Sequence, residues 1–138
     1  MADNERLKQL GASQDKTTYH YAEPDFTVLD TFIAPEAGME VIAEASEFTS
    51  LCPITGQPDY GTIKLHYVVH ECALESKSFK VYLNRFRQHG AFCETIAKEV
   101  KNDLVAVLDP LYLEVDCAFA PRGGISFRAI SRYSLPDE

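Results

Sequence analysis

A segment of strictly alternating apolar residues, followed at once by two helical segments, restricts the fold most. In residues 61–69 every second side chain is apolar, which is typical of an antiparallel strand with one buried face. Residues 77–87 and 91–108 instead carry apolar side chains three and four positions apart, which indicates two amphipathic helices. Two helices in succession do not fit a parallel sheet, in which strands and helices alternate.

Strand-like segments before and after the helices predict the rest of the sheet. Residues 26–33, 39–45, 112–119 and 125–133 have the apolar and β-branched composition of strands. Residues 47–60 contain two prolines and a glycine, which indicates a loop. The predicted order β-β-β-α-α-β-β gives an α+β fold, an antiparallel sheet with the pair of consecutive helices on one face.

Length and charge restrict the organisation of the chain and its partners. The 138 residues predict one domain, residues 24–138, preceded by a polar and flexible arm, residues 1–23. The edges of a small sheet need protection, so we expect a homo-oligomer. A net charge of −8 disfavours nucleic acids and anionic membranes as partners. No apolar run is long enough to span a bilayer and no secretory signal is visible, so we expect a cytoplasmic protein.

The four cysteines do not form a recognisable metal or redox motif. Cys52, Cys72, Cys93 and Cys117 include no Cys-x-x-Cys pair, so we expect no metal site. Standing disulfides are not expected in a cytoplasmic chain. A cysteine without special context is most often a small buried apolar side chain.

One cysteine has a context of its own. Cys52 lies in a polar segment between hydroxyl-bearing residues, and Asp59 follows seven residues later. A reachable thiol beside a carboxylate is able to attack an electrophilic carbon and to manage protons. The alternative is a buried cysteine beside a turn-forming aspartate, and composition alone favours that alternative.

The start of the first predicted helix is rich in serine and lysine. Ser76 or Ser78 is suited to cap the helix, and Lys77 and Lys80 share one of its faces. This arrangement is either a local anion site in an acidic protein or an ordinary solvated helix start.

Two further segments allow a binding role beside a structural one. Glu94, at the start of the second predicted helix, is able to accept hydrogen bonds from a guanine-like edge, and Phe92 is able to stack on a base. Both residues also fit a helix terminus with a core aromatic side chain. Arg122, followed by Gly123 and Gly124, fits either a phosphate contact or a hairpin turn.

Taken together, these segments resemble those of one family. Phe-Thr-Ser-Leu-Cys-Pro-x-Thr-Gly-Gln-Pro-Asp (48–59), Glu-Ser-Lys-Ser-x-Lys (75–80), Phe-Arg-x-His-Gly-x-Phe (86–92) and Pro-Arg-Gly-Gly-Ile (121–125) are similar to motifs of the 7-cyano-7-deazaguanine reductases (QueF) in their short single-module form. These nitrile reductases act in queuosine biosynthesis. The resemblance runs from about residue 26 to residue 133.

The resemblance implies a fold, an activity and a set of site residues. The family has the tunnelling fold of GTP cyclohydrolase I, in which subunits join their sheets into a ring with active sites between subunits. By motif, Cys52 would form a covalent thioimide with the nitrile carbon and Asp59 would protonate the nitrogen, while two NADPH supply hydride and no metal is required. The substrate residues implied are Leu74, Glu75, Ser76, Cys93 and Glu94. The NADPH residues implied are Ser76, Lys77, Lys80, Arg122 and Gly123.

One position departs from the family pattern. Cys93 stands where the family usually has a histidine, and a thiol is a weak hydrogen-bond donor and a poor base. Since Cys52 and Cys93 would both line the site, oxidation is expected to pair them reversibly, which non-reducing peptide mapping after mild peroxide treatment would test. Two other readings stay open at this point: an amidine-forming transferase that acts on the same nitrile, and a non-catalytic oligomer that binds a purine or pterin.

Overall fold

A computed structural model describes residues 23–136, so residues 1–22 of the expected arm lie outside the described residues. The main elements in chain order are β1 (Thr31–Ile33), β2 (Glu40–Leu51), β3 (Pro58–Val68), β4 (Cys72–Leu74), α1 (Ser76–Asn84), α2 (Cys93–Leu108), β5 (Tyr112–Arg122) and β6 (Ile125–Ser134). A short 3-10 helix, Phe26–Val28, precedes β1.

Four long strands form an antiparallel sheet in the order β2-β3-β5-β6, and β1 pairs with β4 in a separate two-stranded sheet. The alternation predicted for residues 61–69 sets which face of the main sheet is buried. Ile63 pairs with Cys117 and Leu65 pairs with Val115, and all four side chains are fully buried. The predicted α+β fold with an antiparallel sheet is therefore confirmed.

The two helices complete the core. Ile96, Val100 and Leu104 lie on one face of α2 and are fully buried. The helix ends where Asp109 adopts a left-handed conformation with φ of 45°, and its backbone N–H still donates to Val105 O. This is the end that Asp109-Pro110 predicts.

Two predicted segments differ from the observed elements, and one observed strand has no predicted counterpart. Residues 26–33 are not one strand, because the Asp25 side chain accepts the backbone N–H of Thr27 and starts the 3-10 helix instead. The predicted loop 47–60 is mostly strand, since β2 and β3 form a hairpin that leaves only residues 52–57 unpaired. The short strand β4 was not predicted at all, because three residues carry too little pattern to be recognised.

A β-bulge in β2 changes which side chains face the core. Ala45 pairs with Ile63 and Phe48 pairs with Gly61, so two residues of β2 stand opposite one residue of β3. Before the bulge the odd-numbered residues of β2 face the helices, and after it Phe48 and Ser50 do so. Both of these side chains are buried. The bulge thereby places the end of β2 on the same face of the sheet as Asp59, which pairs with Ser50.

Gly61, opposite the bulge, allows β3 and β5 to approach closely. A Cβ at this position would lie 2.4 Å from the backbone oxygen of Ala118. We expect Gly61→Ala to lower the free energy of unfolding by about 2–4 kcal/mol, because backbone must move to admit the methyl group. Urea unfolding checks this, with Thr62→Ala in the same strand as the control. An unchanged midpoint for Gly61→Ala would contradict the close approach.

Candidate active site

The connection between β2 and β3 holds Cys52 in a tight loop. The backbone N–H of Cys52 donates to Gln57 O at 2.8 Å, and the N–H of Gly56 donates to Cys52 O at 2.9 Å. Gly56 has a φ of 71°, which suits a glycine at this turn. The loop therefore presents Cys52 as a half-buried side chain that is still accessible from solvent.

The same loop favours the reactive form of the thiol. Hydrogen bonds from the Thr55 side chain and from the backbone of Thr55 and Ile54 lower the pKa of Cys52 below the ordinary thiol value. Burial and the charge of Asp59 oppose this effect only in part. Donors directed at the sulfur stabilise the thiolate, which is the nucleophilic form of cysteine.

Backbone bonds join the cysteine loop to the connection between the two helices. Leu51 N–H donates to His89 O at 3.0 Å, and Ala91 N–H donates to Leu51 O at 3.1 Å. This parallel bridge between Leu51 and Gly90 holds the start of α2 beside Cys52. The segment that carries Phe92 and Glu94 is thereby brought to the nucleophile.

These elements enclose a cavity of about 300 Å³. It is lined by six residues that the sequence singled out: Cys52, Asp59, Phe92, Cys93, Glu94 and Arg122. Apolar side chains of the β5–β6 hairpin form the remaining wall. An apolar cavity with a thiol and two carboxylates is suited to a flat, polar-edged heterocycle.

Asp59 is held from two sides. Its side chain is only 8% exposed, and its Oδ1 lies 3.0 Å from Nη1 of Arg122. The hydroxyl of Thr49 donates to the backbone oxygen of Asp59 at 2.7 Å. Arg122 thus lies against the carboxylate of the Cys52 cavity, an ion pair that the sequence did not predict.

The start of α2 supplies one open aromatic ring and one carboxylate. Phe92 is 54% exposed, so it is not the core aromatic side chain that the structural alternative proposed. Glu94 lies in the first turn of α2, where a carboxylate is favourable to the helix dipole. Both side chains face the cavity and are free of the core.

Cys93 is buried, and its thiol donates to the backbone oxygen of Cys117 at 3.1 Å. The hydrogen bond with the Cys93 thiol, together with burial, raises the pKa of Cys117, so the Cys117 thiol stays protonated. Cys52 and Cys93 line the same cavity, and all four cysteines are free thiols. Oxidative pairing of Cys52 with Cys93 stays a prediction.

The second group of predicted residues lies at the start of α1, and its cap differs from the prediction. Glu75, not a serine, caps the helix: its Oε1 accepts Ser78 N–H and its Oε2 accepts Lys77 N–H, each at 2.8 Å. The Ser78 hydroxyl is directed elsewhere, and donates to Glu75 O at 2.8 Å. The longer glutamate side chain reaches two amides at once, and Glu75 is buried as a result.

A separate cavity of about 430 Å³ lies between α1 and β2. Ser76 and Lys80 line it, and so does Arg87, which sequence reasoning missed although it belongs to the motif of residues 86–92. Leu74 and Lys77 are half-buried nearby in the chain and line neither cavity. Among the described residues, the two cavities share no side chain.

Residues 23–136 hold neither a cluster of metal-ligating side chains nor a helix that could span a membrane. No three His, Cys, Asp or Glu side chains in this range gather in a way that would hold a metal ion. None of the helices in this part of the chain is long and apolar enough to cross a membrane.

Comparison with known proteins identifies the family to which this chain belongs. A family model described as "QueF-like protein" matches residues 58–138. The "NADPH-dependent 7-cyano-7-deazaguanine reductase" of Helicobacter pylori (strain HPAG1) is 43% identical over 133 residues, which are 95% of this chain and 87% of that protein. The chain therefore belongs to the QueF family.

Other comparisons agree with this assignment. The protein of the same name from Staphylococcus saprophyticus is 43% identical over 135 residues, which are 96% of this chain and 80% of that protein. A crystal structure of the archaeosine synthase QueF-Like in the apo form matches with a TM-score of 0.67 at 19% identity, covering 73% of this chain and all of that chain. At that identity the similarity concerns the fold alone, and it confirms the tunnelling fold.

Proposed function

We propose that this chain is an NADPH-dependent reductase that converts the nitrile of 7-cyano-7-deazaguanine to an aminomethyl group, in queuosine biosynthesis. The observation that carries the proposal is the Cys52 cavity. A thiol with a lowered pKa faces the same cavity as the buried carboxylate of Asp59. The names of the relatives give the reaction, and the cavity supplies the groups that the reaction needs.

The first step forms a bond between the Cys52 sulfur and the nitrile carbon. As the carbon–sulfur bond forms, one π bond of the nitrile becomes a lone pair on nitrogen, and Asp59 donates the proton that this nitrogen takes up. The product is a thioimide on Cys52, and Asp59 is left as a carboxylate. Its ion pair with Arg122 stabilises that charge.

The thioimide is a better acceptor of hydride than the nitrile. Two NADPH molecules, bound in turn, supply one hydride to the thioimide carbon and one to the imine that follows. Between the two additions Cys52 leaves as thiolate, and the cavity retains the imine. After Asp59 has regained a proton from solvent, it donates this second proton to nitrogen, so that the nitrile gains four electrons and four hydrogens in all.

The deazaguanine is held by the remaining cavity side chains. Glu94 accepts hydrogen bonds from its amidine edge, and the exposed Phe92 ring stacks on its plane. Cys93 contributes a substrate-proximal thiol without the acid–base role of the usual histidine. A sulfur nucleophile and a reduced nucleotide both suit the reducing cytoplasm, where we place the protein.

The residues proposed to hold NADPH suit an anionic nucleotide. Within a single chain, however, they lie at or beside two separate cavities. Ser76 and Lys80 face the cavity at α1, and Lys77 lies in the first turn of that helix. Arg122 and Gly123 lie at the Cys52 cavity and at the turn that follows. Cations and a helix N-terminus suit the phosphates, and a glycine allows a close approach of the backbone.

This division supports an active site shared between subunits of a homo-oligomer. The outer edges of β2 and β6 have no partner strand among residues 23–136. β6 also exposes apolar side chains, with Ile125 and Phe127 each 61% exposed. Pairing of these edges between copies would cover the apolar side chains and bring α1 of one subunit to the Cys52 cavity of the next.

Mixed oligomers test the shared site. Cys52→Ala removes the nucleophile from the Cys52 cavity, and the double variant Lys77→Ala/Lys80→Ala removes the cations at α1. The two variants thus damage different halves of the shared active site, so each protein alone should be nearly inactive. Oligomers assembled from both by co-expression should regain about a quarter of the unmodified activity, because random pairing leaves some sites with two intact halves. Mixed oligomers no more active than their parents would contradict sharing between subunits.

Nitrile-dependent oxidation of NADPH tests the reaction itself. Loss of NADPH absorbance should require 7-cyano-7-deazaguanine and should not occur with 7-deazaguanine, which lacks the nitrile. Oxidation that is equal with both compounds would contradict a nitrile reductase. Consumption of the nitrile without oxidation would instead favour an amidine-forming transferase.

A further inference from the structure

The hydroxyl of Ser50 is buried and unpaired beside the proposed proton donor. Ser50 is 0% exposed, and its Oγ has no hydrogen-bond partner within residues 23–136. Folded proteins pair the large majority of their buried hydroxyls, so an unpaired one calls for an explanation. The proposed mechanism gives Ser50 no role.

The bulge in β2 places Ser50 directly opposite Asp59. The two residues are partners in the register between β2 and β3, and both are buried on the face of the sheet that carries the core. Opposite side chains on one face of an antiparallel pair have Cβ atoms about 4.5–5.5 Å apart. Rotation about the first side-chain torsion of Ser50 is therefore enough to change whether its hydroxyl reaches the Asp59 carboxyl group.

The known contacts of Asp59 leave room for such a bond. Arg122 approaches one carboxylate oxygen, Oδ1, and Thr49 bonds only to the backbone oxygen of Asp59. Ser50 does not line the Cys52 cavity, whereas Asp59 does. Ser50 is thus buried next to Asp59 and away from the cavity that would hold the substrate.

We propose that Ser50 is a positioning residue for Asp59. The Ser50 hydroxyl donates a hydrogen bond to Oδ2 of Asp59 when Asp59 has given up its proton. The inference rests on the proposed function and deepens it. A hydroxyl is both donor and acceptor, so Ser50 serves the carboxylate as a donor and the protonated acid as an acceptor. The bond fixes the carboxyl group in one orientation and stabilises the charge that forms with each proton transfer.

Ser50→Ala tests this role through the rate of adduct formation, which needs no NADPH. We expect the rate at which Cys52 gains the mass of the nitrile to fall about tenfold, and kcat for NADPH oxidation to fall equally, with KM for the nitrile unchanged. Thr62→Val, which removes a hydroxyl from the opposite face of β3, is the control and should leave both rates unchanged.

A double-mutant cycle separates positioning of Asp59 from a merely structural effect. In the Asp59→Asn background, Ser50→Ala should add no further loss of rate, because the carboxylate that it serves is gone. A full tenfold loss in that background, or an unchanged rate for Ser50→Ala alone, would overturn the role of Ser50. Absence of any adduct in the unmodified protein would instead overturn the proposed function and this role with it.

Discussion

Cys52→Ala will abolish both covalent binding of the nitrile and its reduction, with kcat lower by at least about a thousandfold. The reason is chemical, since a nitrile accepts hydride poorly and only the thioimide on this sulfur makes the carbon a good acceptor. The structure supports this assignment, because the loop lowers the pKa of Cys52, and Cys52 lines the cavity with Asp59 and is accessible whereas Cys93 is buried. Intact-protein mass spectrometry with the nitrile alone measures the first effect, and NADPH oxidation measures the second.

Cys72→Ala is the matched control for this experiment. Cys72 is also half-buried, but burial raises its pKa and its thiol donates to Leu108 O at 3.4 Å, away from the Cys52 cavity. We expect the Cys72→Ala protein to form the adduct at the unmodified rate. An adduct that persists in Cys52→Ala would contradict the assignment of the nucleophile.

Asp59→Asn will slow the reaction by about a hundredfold to ten-thousandfold, which is the usual contribution of a positioned proton donor. The amide keeps the size and approximate shape of the carboxyl group but has no acidic proton to transfer to nitrogen. KM for the nitrile should change little, because Asp59 acts on the reacting atom and other cavity residues hold the ring. Because adduct formation itself requires protonation of nitrogen, its rate without NADPH should fall with kcat.

Asp116→Asn is the control for charge and burial. Asp116 is also a buried aspartate that is paired with an arginine, in its case Arg128, but it does not line the Cys52 cavity. Its replacement should leave the rate of adduct formation unchanged. A rate for Asp59→Asn within about threefold of the unmodified protein would show that another group donates the proton.

The sequence predicts the fold wherever its patterns are long. The alternation over residues 61–69 and the apolar stripe of α2 are both present where they were expected. The strand ends at 47–51 and 58–60 were hidden, because a bulge breaks the alternation of β2 and two prolines near Cys52 suggest a loop. Pairing of backbone between strands does not itself produce a periodic pattern of apolar residues, so these strand ends could not be predicted.

For the site too, features with a local sequence pattern could be predicted, and features that depend on tertiary structure could not. Cys52 and Asp59 could be grouped from sequence, because the hairpin that joins them is short. The bridge between Leu51 and Gly90, which brings Glu94 to the cysteine, depends on tertiary structure and has no local signal. The pairing of Arg122 with Asp59 and the burial of Ser50 likewise depend on strand register, which composition does not specify.

The ratio of NADPH oxidised to product formed tests most directly whether this chain is a nitrile reductase. The unmodified protein is incubated with a limiting amount of 7-cyano-7-deazaguanine and excess NADPH, and the product is identified by mass. We expect two NADPH to be oxidised for each nitrile consumed, with the aminomethyl compound as the product. An amidine product formed without oxidation of NADPH, or a nitrile recovered unchanged, would contradict the assignment of this chain as a nitrile reductase.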